Sequence, residues 1–155
     1  MVFSWMGLGF LLALLAPNLL WTRYPPQDYD ASGEKLVLRI LERIGQVWVT
    51  CAALISPELR WRPWSPRSWW LMAAIGLMVL YELWWVRYFR SERTMPDFTA
   101  GLLGLPVAGA SLPVLAFLLL SVYGRLPWMA AGAAVLGAGH IGVHLQHRRS
   151  VRKDV

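Results

Sequence analysis

Five runs of about twenty mostly apolar residues leave this chain few choices of fold. They are Val2–Trp21, Glu34–Ile55, Trp69–Phe89, Thr99–Tyr123 and Pro127–Gln146, and prolines, glycines and charges separate them. A helix needs about 20 residues to cross a hydrocarbon core of ~30 Å. Inside lipid the backbone must satisfy its own polar groups, so helices are the natural solution. The sequence therefore predicts an all-α polytopic membrane bundle with five transmembrane helices, forming a single domain over 1–155 with a short basic tail at 147–155.

The runs are not equal. Val2–Trp21 has no basic leader and ends in Pro17, Asn18 and Trp21, with no small-residue cleavage pattern, so it reads as a helix and not as a removed signal. Glu34–Ile55 carries Arg39, Glu42, Arg43 and Gln46 in its first half. It reads as a span that begins in the headgroup layer; lying wholly on the surface, it would reduce the count to four. Thr99–Tyr123 contains Pro106 and Pro113, which predict a kink or a late start near Pro106. Pro127 suits the first turn of the last helix.

Eleven of the 15 Lys and Arg residues fall at one side of such a bundle and four (Arg60, Arg62, Arg67, Arg125) at the other. The positive-inside bias then places the N-terminus outside and the C-terminus inside. The expected setting is a membrane, taken as the bacterial cytoplasmic (inner) membrane. The net charge of +6 is accounted for by these loops and the tail, so nucleic acid is not an expected partner. The single cysteine, Cys51, excludes an internal disulfide and a cysteine metal cluster.

Ionisable residues inside apolar runs carry the functional signal, because a charge in hydrocarbon needs a partner or a wet cavity. With the N-terminus outside, Asn18, Glu42, Glu82 and His140 all lie within roughly 10 Å of the inner boundary. The expectation is a pocket open to the cytoplasm, with Asn18, Glu42, Tyr81, Glu82, Trp85, His140 and His144 as ligand-binding residues. Met78, Glu82, Trp85 and Phe89 share a helical face with Tyr81 beside it, a carboxylate among rings that suits an organic cation. His140, His144 and His147 share one face of the last helix. Ala130, Ala134, Ala138 and Gly142 form a small-residue stripe on roughly the opposite face, where another backbone is expected to pack. Arg87 and Arg90 are placed to hold lipid headgroups.

Three functions follow as expectations. The first is binding or translocation of a small cationic or amphipathic molecule, with proton coupling through histidine. The second is a membrane enzyme acting on a lipid or hydrophobic substrate, with Glu82 and His140 as acid and base. The third is an accessory subunit of a larger membrane complex; the alanine stripe also suits a homodimer. Metal binding is expected to be absent, His140, His144 and Glu82 being its weak candidates, and no cofactor is indicated. The chain has no His-Glu-x-x-His, phosphate-binding loop, dinucleotide fingerprint or Gly-x-Ser-x-Gly motif.

Overall fold

The computed structural model describes residues 3–153, and among these the chain is helical throughout, with no strand. Six helices follow in order: α1 Trp5–Arg23, α2 Leu36–Ile55, α3 Ser68–Arg90, α4 Met95–Phe98, α5 Ala108–Gly124 and α6 Pro127–Val151. Three of them, α1, α3 and α6, are long and apolar enough to cross a membrane. α2 has the length but carries Arg39, Glu42 and Arg43. α5 spans 17 residues, about 25 Å.

The five long helices alternate in direction. Ser4 fixes one end of the bundle: its hydroxyl accepts from Gly7 N–H at 2.9 Å and donates to the Leu59 carbonyl at 2.9 Å. Its own N–H donates to the Leu54 carbonyl at 2.9 Å, which joins the start of α1 to the end of α2. Gly7 lies so close to Ala53 that a Cβ would overlap the Ala53 backbone. At the same end the Tyr123 hydroxyl, from α5, donates to the Arg60 carbonyl at 2.7 Å.

α5 is the central helix, buried along almost its whole length and packed between α3 and α6. Its late start was expected; the physical reason is the segment before it. Leu102 and Leu105 exchange backbone hydrogen bonds of 3.0 and 2.9 Å around Leu103 and Gly104, both at positive φ, which makes a tight two-residue turn just before Pro106. The charged connector before it holds α4, which is closed by a reciprocal Thr94–Asp97 capping box.

α2 and α6 pack most intimately, and the expected small-residue stripe accounts for only part of the contact. Ala134 and Ala138 are exposed, while Gly142 meets Leu38 of α2. Contact is made through Gly45, Gly132 and Gly139: a Cβ on Gly45 would overlap the Leu136 backbone, and one on Gly139 would overlap Glu42 and Leu38. The histidines are not on a separate face either, since His140 and His147 both pair with carboxylates at the α2 side (Glu42 and Glu34). The tail expected from residue 147 is helical as far as Val151.

α2 is turned inside out relative to a helix of a water-soluble protein. Its exposed residues include Leu36, Val37, Ile40, Ile44 and Val47, while Gly45, Val49, Ala52 and Ala53 face the bundle. Arg39, Arg43 and Gln46, at spacings of three and four, form a polar stripe between these two faces.

Candidate functional site

α1 and α2 touch near Ser4 and Gly7 and separate toward their other ends. The gap between them becomes a lateral cleft of about 300 Å³. Leu14, Leu15 and Thr22 line it from α1, Arg43 and Gln46 from α2, and Pro113 and Phe117 from α5. A second cavity, also of about 300 Å³, lies deeper toward the His147 end under the α1–α2 connector. The two share Asn18, Trp21, Glu42, Arg43 and His140 in their walls. Together they form a polar chamber with an apolar side opening.

The centre of this chamber is an acid–imidazole pair. His140 Nδ1 lies 2.7 Å from Glu42 Oε1, with both side chains about one quarter exposed. Two turns further along α6 the pattern repeats: His147 Nε2 lies 3.0 Å from Glu34 Oε1, which also accepts from the Tyr29 hydroxyl at 3.0 Å. Arg39 Nε lies 3.8 Å from the other Glu34 oxygen. Burial first, then the Glu34 hydrogen bond, push the Tyr29 phenol well above its ordinary value, so it stays a donor. Gln146 clamps the connector, donating to the Gly33 carbonyl and accepting from Lys35 N–H.

His144 lies between these pairs on α6, buried, with its ring 4.7 Å from His140 and 4.9 Å from Phe98. Its Nδ1 has no hydrogen-bond partner among the described residues. One indole in the same wall is also unmatched: Trp21 Nε1 is buried with no hydrogen-bond partner among the described residues, while the Trp85 indole has the Tyr81 hydroxyl as its neighbour. Trp21 stacks on Phe98 at 5.7 Å, so α4 holds both rings in place. An unsatisfied buried polar group costs about 1–3 kcal/mol, so Trp21 and His144 mark the polar side of this wall.

Asn18 does not cap α1, which runs on to Arg23. Its Nδ2 donates to the Leu14 carbonyl at 2.7 Å and to the Tyr81 hydroxyl at 2.9 Å. Tyr81 in turn donates to Leu14 at 3.2 Å. These bonds stitch α1 to α3 beside Pro17, which cannot donate within its own helix.

Of the residues read from sequence, Asn18, Glu42, Trp85, His140 and His144 meet in the chamber, and Tyr81 supports it from behind. Glu82 does not join them: it lines a different groove, between α1 and α3, so the joint Glu82–His140 centre is not formed. The aromatic frame expected around Glu82 is divided for the same reason, since Trp85 lines the chamber and Tyr81 turns to Asn18. Arg87 donates to the Asp97 carbonyl at 2.6 Å and sits 5.2 Å over the Trp84 ring, while Arg90 is exposed. No three His, Cys, Asp or Glu side chains converge as metal ligands among the described residues.

Sequence reasoning missed Trp21, Tyr29, Glu34 and the role of His147. No helical spacing announces the Glu34–His147 pair, because Glu34 lies in the connector before α2 starts at Leu36. Compared with known protein families, curated proteins and solved structures, the chain finds no match in any of them.

Proposed function

We propose that this protein binds an amphipathic small molecule or lipid in the inner half of a membrane, its acceptor-rich head in the chamber and its apolar part in the α1–α2 cleft. The observation that carries this reading is the convergence of Asn18, Arg43 and the Glu42–His140 pair in walls common to a polar cavity and an apolar side cleft. The chamber's carboxylates already have partners, Glu42 in His140 and Glu34 in His147 and Tyr29. Arg43, which lines both cavities and forms no ion pair among the described residues, is left to meet a ligand, and it selects phosphate, carboxylate or carbonyl oxygens. The cleft floor of Pro113, Val114, Phe117 and Leu136 suits a hydrocarbon chain, and its opening between α1 and α2 faces the side of the bundle.

The topology that accompanies this reading has five spans, N-terminus outside and C-terminus inside, in a bacterial cytoplasmic membrane. The alternating direction of the five long helices and the charge bias support it. The glycine-mediated packing of α2 on α6 speaks for a crossing α2 over a surface-bound one.

Glu42→Leu/His140→Leu removes both members of the central pair and leaves no lone charge behind. The wild-type protein, carried through detergent exchange, is expected to retain an amphipathic compound in its solvent extract that the folded double variant has lost. Equal content in the two would overturn the reading. One observation favours a second reading: a carboxylate 2.7 Å from an imidazole is the arrangement of an oriented general base. On that reading the extract contains a converted lipid in addition to its precursor, and His140→Gln abolishes the conversion while leaving the precursor bound.

A further inference from the structure

A mainly apolar cavity lies away from the chamber, on the other flank of α1. It is a groove of about 570 Å³ running from the loop after α2 along α1 and α3. That size falls within the roughly 300–1,000 Å³ of small-molecule sites. Phe3, Trp5, Phe10 and Trp61 contribute rings, and Met78 and Val79 close the α3 side. One carboxylate enters it, that of Glu82, four helical turns into α3. Glu82 Oε1 is shielded from solvent and accepts no hydrogen bond among the described residues. The one other charged residue in this lining, Arg60, comes from the loop at the Ser4 end, and among the described residues neither it nor any other cation pairs with Glu82.

We propose that this groove is a second binding site, selective for a hydrophobic organic cation, with Glu82 as its counter-charge. A carboxylate in an apolar wall is costly unless a positive group meets it or it holds a proton. The rings add to the selection, because an aromatic face attracts a cation and a compact, weakly hydrated one loses little on leaving water. This goes beyond the chamber reading: the groove uses α1, α3 and the Pro57–Trp61 loop, shares none of the chamber's lining residues, and selects the opposite charge.

The pair tetraphenylphosphonium and tetraphenylborate tests it, since the two ions share a shape and differ in the sign of charge. Binding to the purified full chain in nanodiscs, with empty discs subtracted, is expected to favour the cation by at least tenfold. Glu82→Gln is expected to weaken the cation by about tenfold and leave the anion unchanged. Gly9→Leu supplies an independent variant that keeps the carboxylate: Gly9 lines the groove with open space before its Cβ, so leucine fills the groove without disturbing the backbone. It is expected to weaken both ions. Gly76→Leu, equally unobstructed but outside the groove, is expected to change neither. Glu42→Leu/His140→Leu is expected to keep full cation binding, which separates this site from the chamber. Equal binding of the two ions, or cation binding indifferent to both Glu82→Gln and Gly9→Leu, would overturn the proposal.

Discussion

His140 Nδ1 and Glu42 Oε1 stand 2.7 Å apart, joining α6 to α2 one residue from the place where Gly139 lets the two backbones meet. Cutting either side chain alone strands its partner in a half-buried wall. Glu42→Ala and His140→Ala are each expected to destabilise by ~1–3 kcal/mol, the range for a hydrogen bond with a charged member. The double variant should cost clearly less than the two added together, because neither partner is then left unmatched. Unfolding of the four proteins in one detergent measures this; strict additivity would show that the contact contributes nothing.

Gly139 tests the packing itself. A methyl group there overlaps the backbone of Glu42 and Leu38, and backbone cannot rotate aside. Gly139→Ala is expected to lower stability by ~2–3 kcal/mol. Ala138→Leu, one residue away but exposed, should stay within about 0.5 kcal/mol of wild type. The reverse order in thermal unfolding would restore the alanine stripe as the packing face.

α5 ends at Gly124 with Arg125 in the left-handed region at φ 56°, while Leu126 N–H returns to the Ser121 carbonyl at 2.9 Å. This is the helix-ending motif that glycine normally completes. Arg125→Gly relieves the side-chain clash of that conformation and is expected to stabilise by ~1 kcal/mol. A lowered melting temperature would mean that the guanidinium contributes more than the backbone strain costs.

The capping box of α4 carries a pH dependence. Burial alone would raise the Asp97 carboxyl, but hydrogen bonds from the Thr94 N–H and hydroxyl, with Ser91 and Arg87, outweigh it and hold it below the ordinary 3.8. A depressed carboxylate contributes stability that is fully present above the unfolded value and disappears as pH falls through the folded one. The Thr94 amide resonance is therefore expected to titrate with a midpoint below the ordinary 3.8, and Asp97→Asn should remove that transition. A Thr94 transition above pH 4 would contradict the capping geometry.

What the residues disclosed and what they hid follow one physical line. Span positions are local: a run such as Trp69–Phe89 and a stop such as Pro57 announce themselves, and α3 was found to within one residue at each end. Depth is local too: the expectation groups Asn18, Glu42, Glu82 and His140, and the first, second and fourth line one chamber. Azimuth is not. Whether Glu82 faces the chamber or the α1–α3 groove depends on how α3 rotates against α5, and that is set by Gly109 receiving the Trp84 ring. The glycine contact was hidden for a related reason, since Gly45 acquires meaning only once Leu136 is known to lie against it. The Thr94-Met95-Pro96-Asp97 box is local as well, a capping threonine with its acid three residues on.

The most direct measurement is photo-crosslinking from two adjacent positions of α2 in native membranes. A benzophenone side chain at Gln46 looks into the α1–α2 cleft, and one at Val47 faces outward. Position 46 is expected to capture one amphipathic species far above its share of the membrane lipid, and to lose it in the Glu42→Leu/His140→Leu background. Position 47 should return bulk lipid in both. Identical adducts at 46 and 47, unaltered by the double substitution, would show that the cleft and its Glu42–His140 centre hold no ligand.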